Sequence, residues 1–347
     1  MLIKKRRGWE IPEREVTPES VYINRRELLR GLGIAGVGLS GACATSTALA
    51  TGGLQAERLQ PFPDSVKYPS GPAGDLYPPA MKNDRLTAAD AGRPITPPEY
   101  SHAYNNFYEF FTPKQGVWQN VDDFKTEPWT IEVKGLVNKP GKYDLEELLR
   151  KMPLEERVCR FRCVERWASV MPWTGFPFAA LLDYFEPQVK AKYVAMKTAY
   201  RPNEMPGIPQ QSWYPWPYFD GLTLAEARNE LAFLVTGAYG KPAPKQHGAP
   251  IRLITPWKFG FKQVKSIVEF NFTEEQPETF WNKLQPREYG FWANINPEVP
   301  HPRWSQAQEW LINTGDIYPT EIYNGYGDWV AEMYEPMRAS EGEWLYR

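Results

Sequence analysis

The chain is poor in the side chains on which much redox and hydrolytic chemistry depends. Its 347 residues include only three cysteines and three histidines. It contains no CxxCH haem motif and no Walker-type phosphate loop, and the GxGxxG pattern occurs only within residues 31–41, in an apolar run near the N-terminus. So few cysteines exclude a disulfide-stabilised scaffold. The formal net charge of −2, with no basic block outside the N-terminal region, argues against a nucleic-acid-binding protein.

Proline and aromatic residues, by contrast, are abundant. The chain has 34 prolines, 14 tryptophans and 19 tyrosines. Many prolines favour long ordered loops and short strands over a helical bundle. The length allows one large domain or two. Together with the alternating segments described next, these features predict a strand-rich α+β fold with short helices, in one compact domain.

Alternation of apolar and polar residues predicts most of the regular structure. The predicted strands are 129–137, 192–198, 230–236, 251–255, 266–272, 310–314 and 328–333. The predicted helices are 145–151 with Asp144 as N-cap, 178–185, and 224–229 with Thr223 as N-cap. Residues 172–177 are predicted to form a rigid, proline-containing loop.

The N-terminal fifty residues have the pattern of an export signal. Arg25 and Arg26 form a twin arginine, and an apolar run rich in glycine and alanine follows over residues 31–49. A small-residue cleavage site ends at Ala50. We therefore expect residues 1–50 to direct export of the folded protein to the periplasm by the twin-arginine route. A membrane anchor is the alternative interpretation of the apolar run.

Two further expectations concern processing and domain organisation. Cys43 lies in a weak lipoprotein-type cleavage pattern, which is a second possible processing site. Residues 51–100 are rich in proline, glycine, aspartate and serine, and predict an extended N-terminal arm. Residues 101–347 are expected to form a single catalytic domain.

The segment 157–167, with the sequence RVCRFRCVERW, holds the two remaining cysteines. Its alternation predicts an extended segment with Cys159, Phe161 and Cys163 on one face. An extended chain holds the two cysteine Cα atoms about 13 Å apart, too far for a disulfide. Two interpretations stay open here. In the first, both sulfurs are buried apolar groups. In the second, Cys163 is a reactive or metal-bound thiolate whose pKa the neighbouring arginines lower.

Basic residues cluster in one predicted turn–strand–turn unit. His247 precedes the strand, Arg252 lies within it, and Lys262 and Lys265 follow it. Arginine clamps a phosphate with two hydrogen bonds and lysine supplies a point charge. A phosphate-bearing cofactor is therefore compatible with this unit. A soft thiolate such as that of Cys163 suits a transition metal.

Two aromatic-rich segments flank these groups along the chain. Residues 104–111, with the sequence YNNFYEFF, are compatible with a buried aromatic turn or with a polar wall for a planar heteroaromatic ligand. Residues 201–221 contain five prolines and many aromatic side chains. We expect this second segment to form an ordered loop at the mouth of a site.

Several longer motifs identify a family resemblance. They are YNNFYEF, RCVExW, MKTAYRPNEMPG, DGLTLAEARNELAFL, GAPIRLxxPWKFGFK and TEIYNGYG, in this order along essentially the whole chain. With these motifs the sequence resembles the sulfite-oxidase superfamily of molybdopterin proteins. Within that superfamily it resembles the branch formed by the catalytic subunits of periplasmic protein-methionine-sulfoxide reductases. The resemblance implies a sulfite-oxidase-type molybdopterin-binding fold.

The resemblance also implies a cofactor and the residues that bind it. The cofactor is one molybdenum in a molybdopterin dithiolene, Cys163 is the protein's ligand to the metal, and Glu165 belongs to the catalytic centre. Further positions that match cofactor-binding residues are Asn105, Tyr108, Glu109, Thr198, His247, Arg252, Gln263, Val264 and Lys265. His247 departs from the reductase branch, which carries asparagine there, and follows the wider superfamily. We expect it to donate a hydrogen bond to the cofactor.

The implied activity is reduction of methionine sulfoxide, free or within oxidised periplasmic proteins. The implied electron donor is a membrane-embedded haem-binding subunit that oxidises quinol. Glu165 beside Cys163 would repel the sulfite dianion, and aromatic segments suit an apolar thioether. Arg166 is an argument for an anionic substrate, unless it pairs with Glu165. A sulfite-oxidising enzyme and a cofactor-free binding module on the same fold are the alternatives.

Overall fold

The computed structural model describes Leu59 and residues 74–347, which all belong to one compact unit spanning 53–347. The predicted export signal over 1–50, Cys43 and most of the predicted arm lie outside the described residues. The boundaries of the arm and of the catalytic domain therefore stay predictions. No helix in the described part of the chain is long and apolar enough to cross a membrane.

Short strands and shorter helices make up the regular structure. The strands are β1 (Met81–Lys82), β2 (Thr130–Gly135), β3 (Gly141–Asp144), β4 (Glu155–Arg162), β5 (Trp167–Pro177), β6 (Tyr193–Thr198), β7 (Phe219–Thr223), β8 (Phe233–Ala238), β9 (Lys241–Pro242), β10 (Arg252–Ile254), β11 (Ile267–Thr273), β12 (Gln308–Leu311) and β13 (Ile317–Pro319). The α-helices are α1 (Pro98–Ser101), α2 (Leu145–Leu149), α3 (Phe178–Phe185), α4 (Gly207–Gln210), α5 (Leu224–Arg228), α6 (Phe280–Leu284), α7 (Gly327–Tyr334) and α8 (Arg338–Glu341). The 3₁₀ turns are Gly74–Leu76, Lys114–Asn120, Lys245–His247, Gly260–Lys262, Ile322–Gly325, Glu335–Met337 and Gly342–Tyr346.

The strands form two sheets. The eight-stranded sheet has the order β1-β4-β5-β12-β13, with β8 also paired to β5 and with β9 and β10 paired to β8. The five-stranded sheet has the order β3-β2-β11-β6-β7. Strand β4 pairs antiparallel with β5 over the whole length of β4, whereas β5 pairs with β12 in parallel. The β4–β5 hairpin therefore lies in the interior of the larger sheet, and its turn carries the cysteine stretch.

The main apolar core includes side chains from both sheets and from helix α3. Ile131 and Val133 of β2 are fully buried, as are Leu181 and Leu182 of α3. Burying such a side chain contributes about 1.5–3 kcal/mol. The alternation in the strands and the apolar face of α3 both supply this core, which is why periodicity predicts these elements well.

Local signals identify the helix starts. The Asp144 carboxylate accepts a hydrogen bond from Glu147 N and begins α2, as predicted. Thr223 and Glu226 form a complete capping box at the start of α5. The predicted helix over 178–185 coincides with α3. Strands β2, β6, β8, β10, β11 and β12 lie at or close to their predicted positions.

The prediction of a loop over 172–177 is wrong, because these residues form the second half of β5. Pro172 lies opposite Val158 in the hairpin. Val158 donates its N–H to Leu86 O at 2.7 Å and not to β5. The hairpin therefore needs no backbone N–H from Pro172, which is the residue opposite Val158. The prediction also missed short strands such as β3 and β7, the latter within the expected loop over 201–221.

The strand predicted over 328–333 is also wrong, since this segment is helix α7. Val330 and Tyr334 are buried and lie four residues apart, which is the spacing of one helix face. A six-residue window was too short to distinguish this spacing from alternation.

Candidate functional site

Cys163 lies in the turn that joins β4 to β5. Arg166 donates its N–H to Cys163 O at 2.9 Å and closes a β-turn, with Arg166 in the left-handed region at φ 75°. The carbonyl of Val164 accepts hydrogen bonds from Gln306 Nε2 and Trp304 Nε1, both at 2.9 Å. These contacts from a distant segment hold the turn, and with it the Cys163 side chain.

The two cysteines do not share one packing environment, contrary to the prediction. Cys159 packs in an apolar cluster with Met171 and Trp173, whereas Cys163 belongs to a second cluster around Trp167. The reason is that Cys163 lies beyond the end of β4, in the turn, where strand alternation no longer applies. Both thiols are buried and free, so the prediction that they form no disulfide is confirmed.

Three polar residues contact the Cys163 sulfur or the group next to it. Asn106 Nδ2 lies 3.3 Å from Cys163 Sγ and 2.8 Å from Glu165 Oε2. The backbone N–H of Glu165 lies 3.5 Å from the sulfur, and its carboxylate lies 3.7 Å from it. Lys114 Nζ forms an ion pair with Glu165 at 3.1 Å. Sequence reasoning did not assign roles to Asn106 or Lys114, although Asn106 lies within the YNNFYEF motif.

The arginines of β4 do not activate the thiol. Each of them pairs with a carboxylate, although Glu309 and Glu321 also form ion pairs with Arg93. The pairs are Arg157–Glu155, Arg160–Glu321 and Arg162–Glu309, with N–O distances of 2.6, 2.5 and 2.8 Å. Burial, followed by the charge of Glu165, raises the pKa of the Cys163 thiol to about 12. Arg162 and Lys114 act in the expected direction and lower this pKa, but burial and Glu165 outweigh them, so the net shift is upward. A coordinating metal, by contrast, deprotonates a thiol outright.

Arg252 is a buried cation that contacts neutral groups. Its Nη1 donates to His247 O at 2.7 Å, and its Nη2 donates to Gln263 Oε1 at 3.3 Å. Burial lowers the pKa of Arg252 to about 9. Within residues 74–347 no carboxylate forms an ion pair with it, and a buried charge without a counter-ion is costly. An anionic ligand would offset this cost.

Lys265 is the second cation of this region. Burial and the nearby charge of Arg252 lower the pKa of Lys265, whereas Glu109 and Cys163 act in the opposite direction. Burial raises the pKa of Glu109, and the charge of Lys265 opposes that rise. Because the charges of both Cys163 and Arg252 act on Lys265, this lysine connects the sulfur end of the site with the Arg252 end.

His247 presents an acceptor, not the donor that the sequence suggested. Its Nε2 lies 3.1 Å from Ser101 O, and a carbonyl oxygen only accepts, so Nε2 carries the proton. Burial lowers the pKa of His247 well below its usual value, so the ring is neutral and Nδ1 carries no proton. Within the described residues, His247 Nδ1 and Asn105 Oδ1 are buried acceptors without a hydrogen-bond partner.

Two other predicted positions support the site through the backbone. Thr198 Oγ1 donates to Lys265 O at 2.8 Å, which fixes the segment that carries the lysine. Val264 is fully buried, and its carbonyl accepts from Leu253 N at 2.8 Å. These two residues position the segments that carry Arg252 and Lys265. The Thr198 hydroxyl is already hydrogen-bonded, and valine has no polar side-chain atom.

Aromatic rings surround the sulfur end. The Tyr108 and Trp281 rings lie 6.0 Å apart, and Trp281 lies 6.1 Å from Tyr214 and 5.4 Å from Tyr289. Burial, followed by the charges of Glu165 and Cys163, raises the pKa of Tyr108 well above its usual value. Tyr108 is therefore a neutral phenol. Phe107 and Phe110 are buried, as a buried aromatic turn at 104–111 requires, and the polar wall for a planar ligand stays a prediction.

Comparison with protein families supports the predicted cofactor. Residues 118–281 match the family model described as "Oxidoreductase molybdopterin binding domain". The matched segment includes Cys163, Thr198, Arg252 and Lys265, and begins after 104–111. The prediction of a molybdenum–molybdopterin cofactor is confirmed, as is the strand-rich α+β fold with short helices.

A solved structure is also similar. It is the sulfane dehydrogenase SoxCD from Paracoccus pantotrophus, at a TM-score of 0.42 and 15% sequence identity. The match covers 56% of this chain and 48% of that chain, so this chain spans about half the length of the protein that it matches.

The residues present fit this cofactor. Cys163 offers one thiolate for the metal. Arg252 and Lys265 supply the positive charge that a pterin phosphate needs, and neither forms an ion pair within the described residues. His247 Nδ1 and Asn105 Oδ1 are unpaired acceptors for ring or amino N–H groups. The role of each of these residues stays a prediction. What the structure adds is that they lie in one region.

Proposed function

Because the chain carries an oxidoreductase molybdopterin-binding domain, we propose that it reduces methionine sulfoxide, free or within oxidised proteins, to methionine. The reaction consumes one sulfoxide, two electrons and two protons, and releases one thioether and one water. When bound at Cys163, the molybdenum–pterin group supplies the two-electron oxygen-atom transfer. The protein's residues bind the substrate, orient it and deliver protons.

The observation that carries this proposal is the pairing of the three β4 arginines with carboxylates. A sulfite dianion would require several uncommitted cations at the substrate position. Arg160 and Arg162 instead pair with Glu321 and Glu309. A neutral sulfoxide has no such requirement, so the charge distribution favours the sulfoxide over sulfite.

The charges next to the sulfur agree with a neutral substrate. Glu165 and Lys114 form an ion pair with little net charge. Arg166 is the argument for an anion, because it forms no ion pair in the described part of the chain and does not pair with Glu165. A single partly exposed arginine is a weak site for a dianion compared with an arginine cluster.

Glu165 is the group best placed to move a proton. Its Oε2 lies 3.7 Å from Cys163 Sγ, and its side chain is about a third exposed, at 32%. Asn106 and Lys114 orient the carboxylate by hydrogen bonds of 2.8 and 3.2 Å. Glu165 can therefore take protons from solvent and deliver them at the sulfoxide oxygen.

The aromatic rings suit the remainder of the substrate. Thioether sulfur and methyl groups contact aromatic rings favourably, by about 0.3–1.5 kcal/mol each. Tyr108, Trp281 and Tyr289 present such rings beside the sulfur end of the site. They would bind a methionine side chain and exclude water from it.

Location and electron supply form part of the same proposal. The twin arginine at Arg25 and Arg26 supports export of the folded protein to the periplasm, with the signal removed near Ala50. We propose oxidised periplasmic proteins as substrates and a membrane-embedded haem-binding subunit as electron donor. The absence of a CxxCH motif from the sequence is in line with a haem on a partner.

Two assays on natively exported protein test the proposal. Metal analysis should give about one molybdenum per chain, as one thiolate site requires. With a reduced dye as electron donor, the protein should turn over methionine sulfoxide, and sulfite oxidation with an electron acceptor should be much slower. Sulfite oxidation that exceeds sulfoxide reduction would establish the sulfite-oxidising alternative instead.

A further inference from the structure

One tryptophan near the site is unusually exposed. Trp213 has 70% of its surface exposed, whereas tryptophan is on average among the more buried residues. Its ring contacts Tyr214 at a centroid distance of 5.8 Å. A large exposed apolar side chain next to a candidate active site is a feature of binding surfaces.

The loop that carries Trp213 is held firmly against the site. Gln211 Nε2 donates to Tyr108 O at 2.8 Å, and Trp216 Nε1 donates to Gln211 O at 2.9 Å. A Cβ atom added at Gly207 would lie 2.1 Å from Tyr108 O, so the two backbones touch. The loop is therefore anchored on the 108–109 segment, and the exposure of Trp213 is a property of an ordered surface.

A continuous line of rings runs from Trp213 to the sulfur end of the site. We call Trp213, Tyr214, Trp281 and Tyr108 the aromatic path. Its three successive centroid distances are 5.8, 6.1 and 6.0 Å. At its inner end, Tyr108 lies two residues from Asn106, whose Nδ2 lies 3.3 Å from Cys163 Sγ. The path thus joins the protein surface to the site.

We propose that the aromatic path binds an extended, uncharged polypeptide segment next to the methionine sulfoxide residue that is reduced. This inference rests on the proposed function and names the part of the protein that recognises a peptide. Trp213 is then a specificity-determining residue that favours protein-bound methionine sulfoxide over the free amino acid.

The length of the path supports a peptide as the occupant. Three ring-to-ring steps of about 6 Å span at most the length of about five extended residues, at roughly 3.3 Å per residue. A free amino acid whose sulfur lies beside Cys163 is shorter than these three steps together. Ring faces without charge suit a neutral chain and its apolar side chains. Only an extended, accessible segment can follow such a line, so unfolded oxidised proteins are the favoured substrates.

The experiment compares two substrates on the molybdenum-loaded mature enzyme. One is an unstructured peptide of about ten residues with a central methionine sulfoxide, and the other is free methionine sulfoxide, both with a reduced dye as donor. Trp213→Ala should raise KM for the peptide about tenfold, with kcat unchanged, as expected for loss of an aromatic anchor. KM for free methionine sulfoxide should stay the same. Trp213→Phe, which keeps a ring, should restore most of the peptide affinity.

A binding measurement and a control variant complete the test. Titration with the same peptide carrying methionine sulfone, which is not reduced under these conditions, should show the same loss in Kd for Trp213→Ala. Trp344→Ala is the control, because Trp344 is also exposed, at 45%, and its ring contacts the Arg347 guanidinium rather than the aromatic path. It should bind the peptide normally.

Three results separate the possible failures. If wild-type protein reduces neither substrate, the proposed function itself is wrong. If it reduces both and Trp213→Ala leaves both KM values unchanged, or raises them equally, the peptide-binding role is overturned. A loss of turnover that occurs only when electrons come from a quinol-linked membrane partner would also overturn it, and would assign the surface to electron-donor docking.

Discussion

The side-chain nitrogen of Asn106 lies 3.3 Å from the sulfur of Cys163, the predicted metal ligand. The same nitrogen lies 2.8 Å from Glu165 Oε2, so one amide group donates to both. Hydrogen bonds to charged acceptors are roughly twice as strong as those between neutral groups. Asn106 therefore stabilises the ionised form of the sulfur and fixes the carboxylate at the distance from it that is observed.

Replacing Asn106 should weaken the site without unfolding the protein. In Asn106→Ala both hydrogen bonds are lost, and each bond to a charged group contributes about 1.5–3 kcal/mol. We expect kcat/KM for methionine sulfoxide to fall by roughly 10- to 100-fold. Molybdenum content and unfolding temperature, measured in parallel, distinguish loss of metal from loss of turnover. Unchanged kcat/KM would show that the amide has no role at the sulfur.

Removing the charge of Glu165 should make the site more tolerant of anions. The carboxylate lies 3.7 Å from Cys163 Sγ, so a dianion bound there is repelled. For Glu165→Gln we expect the inhibition constant of sulfite against sulfoxide reduction to fall about tenfold, while kcat falls because the proton donor is lost. Glu147→Gln, which changes an exposed carboxylate of α2, is the control and should leave both constants unchanged. A sulfite inhibition constant that does not respond to Glu165→Gln would contradict this electrostatic role.

The two cysteines should respond differently to the same substitution. Cys163→Ser should abolish sulfoxide reduction and the paramagnetic molybdenum(V) signal, because the thiolate ligand is lost. Cys159→Ser should retain near-normal turnover at 25 °C, since Cys159 packs among Met171 and Trp173 in a separate cluster. The buried hydroxyl should lower the free energy of unfolding by about 1–3 kcal/mol, measurable by denaturant titration. Turnover in Cys163→Ser, or inactivity of folded Cys159→Ser, would reverse this assignment.

His301 is neutral in the folded protein, although charged groups surround it. Its Nδ1 accepts from Arg303 N at 3.2 Å, and its Nε2 lies 3.5 Å from Glu288 Oε2. Burial lowers the pKa of His301 to about 4; the charge of Glu288 opposes this shift, and the charges of Arg303 and Arg347 add to it. The unfolded chain has a histidine pKa near 6.5. Between these two values the unfolded state binds the additional proton.

Stability should therefore fall as the pH decreases from about 6.5 towards 4. For His301 alone the loss between pH 7 and pH 5 should be about 2 kcal/mol. His301→Gln, which keeps a hydrogen-bond donor and acceptor, should reduce the pH dependence by that amount, as measured by urea unfolding at both pH values. His102 and His247, whose pKa values burial also lowers, should contribute to the dependence that remains, and Glu109 and Asp220, whose pKa values burial raises, should act in the opposite direction. An unaltered pH dependence in the variant would show that His301 titrates normally.

Some elements and the cofactor could be predicted because their signals are local. Asp144 and Thr223 act within three residues of themselves, and α3 and β11 repeat a single period. The motifs around Cys163 and Arg252 are also contiguous, which is why they indicated a molybdopterin site that the family comparison supports. The segment 172–177 could not be predicted, because the partner that makes its prolines acceptable in β5 lies elsewhere in the chain.

The sequence by itself determined the strand-rich fold class, the helix starts and the cofactor, since each depends on residues close together along the chain. Only the tertiary structure decided the charges at the site. Arg162 is neutralised by Glu309, 147 residues away, and the proton of His247 is placed by Ser101 O, 146 residues away. Such partners leave no local pattern. For this reason the arginines suggested an activated thiol and His247 suggested a donor, whereas folding pairs those charges and turns the histidine into an acceptor.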